Sequence, residues 1–107
     1  MDKVNFLPLG SIVLLDAGTQ KLLIVARGLN VQHGDQTVFF DYGAVPYPQG
    51  LSGDQLVYFN HDSVRSIYFI GCNDGDNQVI TDAINAYLAQ HDDIIRVSPD
   101  EWSKEDN

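Results

Sequence analysis

Val64-Arg65-Ser66-Ile67-Tyr68-Phe69-Ile70-Gly71-Cys72-Asn73-Asp74-Gly75-Asp76-Asn77-Gln78-Val79-Ile80 is the stretch on which the fold turns. Val64 to Ile70 is dominated by β-branched and aromatic residues, the composition of a strand. Gly71 to Asp76 interrupts that pattern with small and polar residues. Beyond it the period changes. Val79, Ile80, Ala83, Ile84, Tyr87 and Leu88 recur at helical spacing, with Asp82, Asn85, Ala86 and Gln90 on other faces. The spacing predicts a helix over Asn77–Gln90, with Asp76 as its N-cap and its acidic residues suited to the helix dipole. An apolar helical stripe must cover something, and the preceding strands offer only a sheet.

Upstream, Ile12–Leu15 and Leu22–Ala26 are two apolar runs joined by Asp16-Ala17-Gly18-Thr19-Gln20, a hairpin pattern. Arg27 to Asn30 ends or bulges the second strand. Thr37–Tyr42 is a third strand after the turn at His33-Gly34-Asp35-Gln36. Gly43 to Gly53 is expected to be a loop or an edge, because Pro46 and Pro48 lack amide donors. Leu56–Phe59 and Val64–Ile70 are further strands, separated by a turn at Asn60-His61-Asp62-Ser63. Ile94–Val97 suits a final short strand. The expected architecture is α+β: a strongly bent or small barrel-like antiparallel sheet of about five strands with one carboxy-terminal helix. Residues 1–97 form one domain, and 98–107 a polar tail in which Trp102 is the residue suited to dock back.

A chain of 107 residues has room for one core. Its 44% hydrophobic and 20% charged residues are ordinary for a globular domain and argue against disorder. Six Lys+Arg against fifteen Asp+Glu give a formal charge of -9. That balance disfavours nucleic acid, whose phosphates require clustered cations, and an anionic membrane surface. The longest apolar runs fall far short of the roughly 20 residues of a membrane span. The amino terminus lacks the pattern of a signal peptide, and one cysteine excludes a disulfide framework. The expectation is a cytoplasmic protein without membrane insertion.

Motifs for chemistry are sparse. His33, His61 and His91 each sit near acids, but none has a second His or Cys at the spacing of a zinc site. A calcium loop starting at Asp74 would need Gly at its sixth position and Glu at its twelfth; Val79 and Asn85 stand there. No metal and no cofactor is expected. Cys72 would need a base such as His61 to act as a nucleophile, and burial as a small hydrophobe is the commoner state of a lone cysteine. Asp41 and Asp62 are a carboxylate pair that could meet in space, which carries little weight among so many acids. The expectation is that the protein is not an enzyme. The aromatic residues from Phe39 to Phe69 carry two readings. Phe39 and Phe40, Tyr58 and Phe59, and Tyr68 and Phe69 are adjacent pairs whose members face opposite sides of a strand. Either a rolled sheet buries both sets, or one set forms a docking patch.

Three segments together resemble a known family. They are Phe6-Leu7-Pro8-Leu9-Gly10-Ser11-Ile12-Val13-Leu14-Leu15 with Gly18 and Lys21-Leu22-Leu23-Ile24-Val25-Ala26-Arg27-Gly28; Asp41-Tyr42 with Tyr47-Pro48-Gln49-Gly50; and Tyr58-Phe59-Asn60-His61-Asp62-Ser63-Val64 with Ile67, Phe69 and Gly71. The pattern is similar to small bacterial domains of unknown function encoded beside LXG toxins in type VII secretion gene clusters. The resemblance implies a non-catalytic accessory, a chaperone, targeting factor or neutralising partner that binds a toxin. Cys72 departs from it, standing where an aromatic residue is usual. Asp41, Tyr42, Tyr47, Pro48 and His61 are the candidate partner-binding residues, because polar and aromatic side chains gather there at loops. The alternatives are a small-ligand module with an aromatic-lined pocket and a small enzyme with His61, Cys72 or two carboxylates converging in a cleft.

Overall fold

The computed structural model describes residues 3–96. Five strands precede one helix: β1 (Ile12–Leu15), β2 (Lys21–His33), β3 (Gln36–Tyr47), β4 (Val57–Phe59), β5 (Val64–Phe69) and α1 (Gly75–Gln90). The sheet order is β4-β3-β2-β1-β5, and all of these pairings are antiparallel. This is the expected α+β architecture. Val97 and the tail with Trp102 lie outside the described residues.

The connection between the two outer strands forces the sheet to bend. In a flat sheet four strand spacings would separate β4 from β5 by roughly 19 Å. The chain joins them through Asn60 and a 3-10 turn at His61–Ser63. Helical residues of that kind rise only about 2 Å each, so the link reaches about 14 Å. The sheet must curl to bring its edges within that reach. It stays open, since no ladder joins β4 to β5 among the described residues.

The β2–β3 hairpin is longer than the sequence suggests. Its register runs from Lys21↔Tyr47 to His33↔Gln36. Pro46 therefore lies inside β3, paired with Leu22, rather than in a loop. The reason is that β4 covers only Tyr42 to Ala44, so β3 is an edge at Pro46 and that side asks for no amide donor. Arg27 to Asn30 does not end β2. A register shift between Ile24 and Ala26 bulges it, and Gly28 adopts φ +63. Around that point strict alternation fails. Phe39, Tyr42 and Ala44 join one core cluster, while Phe40 stacks on Tyr58 at 5.5 Å. Both faces of β3 are buried from Val38 to Val45, so the rolled sheet takes both Phe39 and Phe40 inside.

The helix is capped by Asp74, not Asp76: the Asp74 carboxylate accepts the Asn77 amide at 3.0 Å. Its packed face also differs from the apolar stripe. Thr81 and Leu88 are buried and Ile84 packs on the core, whereas Val79 is 66% and Ile80 49% exposed. Asn85, expected on another face, points inward. It accepts from the Val4 amide at 2.8 Å and donates to the Val4 carbonyl at 2.9 Å. Asn77 accepts from Arg27 at 2.6 Å, and Arg27 also donates to the Leu7 carbonyl. The amino-terminal segment carries backbone groups that no strand pairs, so the helix face toward it must supply polar partners. Ile94–Val97 was expected as a strand; among the described residues it contributes a single parallel bridge, Val38↔Ile95.

Candidate functional site

β3 and the 3-10 turn bring Asp41, Tyr42 and His61 together where the amino-terminal segment crosses the sheet. The Asp41 amide donates to Asn60 Oδ1 at 3.0 Å, and the His61 amide donates to Asp41 Oδ2 at 2.8 Å. These two bonds prolong the β3–β4 ladder beyond its last backbone pair, Tyr42↔Phe59, using side chains instead of main chain. They set the 3-10 turn in place and put the His61 ring beside Tyr42.

Tyr42 is fully buried. Its ring packs against Phe6 at 5.9 Å and Phe59 at 5.2 Å. Its hydroxyl accepts the Leu7 amide at 2.9 Å and lies 2.6 Å from His61 Nδ1. Burial pushes the phenol well above its ordinary value, with Asp41 adding to the rise. The phenol therefore keeps its proton, and its hydroxyl and His61 Nδ1 share one hydrogen bond.

Asp41 is the buried carboxylate of the site. Arg96 grips it with both ends of its guanidinium, Nη2 to Oδ1 at 3.0 Å and Nη1 to Oδ2 at 3.2 Å. Of the two contacts, Nη1 to Oδ2 is aligned as a hydrogen bond, whereas Nη2 and Oδ1 face each other as an ion pair without one. Arg96 also lies over the Phe39 ring, 5.0 Å from its centroid. Nothing local in the sequence links Arg96 to Asp41, which stands 55 positions away. The one available signal is a lone cation directly after the apolar pair Ile94-Ile95. An open cleft of about 550 Å³ adjoins these groups, lined by Lys3, Val4, Asn5, Asp41, His61, Asp62 and Arg96.

Tyr47 and Pro48 do not join this cleft. They lie at the other end of β3, where Tyr47 pairs with Lys21, its carbonyl accepts from Gln20 at 2.8 Å, and the Tyr47–Pro48 peptide is cis. Tyr47 is 40% exposed and Pro48 is exposed. Cys72 is exposed rather than buried, its thiol 3.7 Å from an Asp74 oxygen. It borders a separate concavity with Leu9, Arg27 and Ile80, and His61 lines a different one. Asp41 and Asp62 do line one cleft, but Asp41 is engaged by Arg96. The buried aromatic residues Phe39, Phe40, Tyr42 and Phe59 pack into the interior, while Tyr68 and Phe69 on β5 are more than half exposed. Among the described residues no three His, Cys, Asp or Glu side chains gather to hold a metal, and no helix is long and apolar enough to cross a membrane.

A family model described as a domain of unknown function, DUF4176, matches residues 6–80. Neither a curated protein nor a solved structure matches the chain. The matched segment contains all five strands and the first turn and a half of α1, and it holds Asp41, Tyr42, Tyr47, Pro48 and His61, but not Arg96. The chain belongs to the DUF4176 family.

Proposed function

We propose that this protein is a non-catalytic protein-binding accessory, a chaperone, targeting factor or neutralising partner of a bacterial toxin system of the LXG and type VII secretion kind. The observation that carries the reading is the open cleft over Asp41 and His61, to which four separate segments of the chain bring charged and polar side chains. Support for the toxin partner comes from the resemblance of the three sequence segments. Tyr42 supports the cleft from beneath, and the surface offered to a partner is His61, Asp62 and Lys3 around it. Tyr47 and Pro48 form a second contact point at the far end of β3.

The test is co-purification of the protein with an LXG toxin encoded beside it, using wild type and the variants His61→Ala and Tyr47→Ala. Capture by wild type with a loss of tenfold or more in the His61 variant is the expected result. No capture by wild type, or capture by the His61 variant equal to that by wild type, overturns the proposal.

A further inference from the structure

The stretch of β3 ahead of Asp41 has an open side, because β4 pairs only with Tyr42 to Ala44. Residues 94–96 lie along that side. The Phe39 amide donates to the Ile95 carbonyl at 2.9 Å, in the single parallel bridge Val38↔Ile95. The next residue, Arg96, then reaches the Asp41 carboxylate across the face of Phe39. Three elements thus recognise one residue of an extended chain. The Phe39 amide takes the carbonyl of the residue before it, an aromatic ring takes the face of its guanidinium, and a buried carboxylate meets the guanidinium as an ion pair with one aligned hydrogen bond. The occupant does not satisfy the site completely, since Arg96 Nε and Nη2 and Asp41 Oδ1 are buried without a hydrogen-bond partner. Among the described residues, one isolated bridge ties its segment to the sheet, not a ladder.

We propose that the Asp41–Phe39 site is a receptor for an arginine presented by an extended basic segment of a protein partner, and that Arg96 fills it in cis until such a segment displaces it. The inference rests on the protein-binding reading above and names the partner's chemistry. Charge supports it. With fifteen acids against six Lys+Arg, the molecule attracts a basic chain and repels an acidic one. The exposed apolar β5 edge is not the vehicle for strand addition. Its register shifts against β1 at two places, and bulges of that kind turn an edge away from further pairing.

The probe is an acetylated, amidated pentapeptide with the sequence of residues 94–98, and its twin in which citrulline replaces the arginine. Citrulline keeps the shape and removes the charge. Fluorescence polarisation is measured on full-length wild type, Arg96→Ala, and Arg96→Ala with Asp41→Asn. The Arg96→Ala protein should bind the arginine peptide at least tenfold more tightly than wild type does. The citrulline peptide and the double variant should each lose that gain, and added salt should weaken binding. No gain in Arg96→Ala, or equal binding of the citrulline peptide, overturns the proposal. If Arg96→Ala does not fold, methylguanidinium is titrated into wild type by amide NMR. Saturable shifts at Phe39, Asp41 and His61 support the site, and their absence overturns it. Toxin capture that is indifferent to Asp41→Asn would sink the arginine site and leave the protein-binding reading standing. A citrulline-sensitive peptide site without any toxin capture would do the reverse.

Discussion

The hydroxyl of Tyr42 sits 2.6 Å from Nδ1 of His61 and also accepts the amide of Leu7. One buried oxygen thereby ties the amino-terminal segment, β3 and the 3-10 turn together. The cleft has its shape because these three pieces of chain meet at that atom.

Tyr42→Phe keeps the ring and removes the oxygen, leaving the Leu7 amide and His61 Nδ1 unpaired. The expected loss is about 1–3 kcal/mol, measured as a lower urea midpoint at pH 7. The same oxygen gives a pH signature. The folded phenol titrates above the ordinary value of 10.0 because burial disfavours its anion. Above pH 10 the unfolded chain releases that proton first, so stability should fall as pH rises through 10 toward the folded value. Urea midpoints taken from pH 8 to pH 11 should decline less steeply in Tyr42→Phe than in wild type. Equal slopes would refute the assignment.

Asn60→Ala should cost about 1–3 kcal/mol, because it strips the acceptor from the buried Asp41 amide. The effect should also be felt at the cleft, since the 3-10 turn loses one of its two side-chain anchors to β3. Thermal unfolding gives the first quantity. Amide shifts confined to residues 39–42 and 60–63 would give the second, and a diffuse pattern would count against a local staple.

Gly71→Ala and Gly43→Ala should differ in severity for a reason visible in their neighbours. A Cβ on Gly71 would collide with the carbonyl oxygen of Leu9, which is backbone and cannot swing aside. A Cβ on Gly43 would meet the tip of the Leu29 side chain at 2.8 Å, which can rotate. Gly71→Ala should therefore destabilise by about 3 kcal/mol or more, and Gly43→Ala by about 1. Denaturant midpoints of the two variants check the order, and a reversed order would contradict the packing.

Asp74→Ala should lower stability by about 1 kcal/mol, and Asp76→Ala by a few tenths at most. Among the described residues, the Asp74 carboxylate accepts an amide of the first helical turn and the Asp76 carboxylate does not. Circular dichroism melts of the two variants separate them, and equal losses would mean that the cap is not specific.

The helix and most of the strands are legible in the residues, because each rests on a local period: alternating or continuous apolar residues up to Ile70, and a 3.6-residue recurrence after Val79. The family segment is legible for the same reason, as its residues are neighbours in the chain. Three features are not local, and only the tertiary structure decides them. Phe39 and Phe40 are both interior because the β2–β3 ribbon shifts register between Ile24 and Ala26 and curls until both faces of β3 are covered from Val38 to Val45. Asn85 bonds the Val4 backbone because the amino-terminal segment, far away in sequence, is brought against the helix, and Asn77 meets the Arg27 side chain of β2. Arg96 meets Asp41 because β4 is too short to cover the edge of β3. A side chain's period fixes which face of its own element it occupies. What that face meets depends on how the sheet bends, and the bend is set by the short link from Phe59 to Val64 rather than by any residue's own preference.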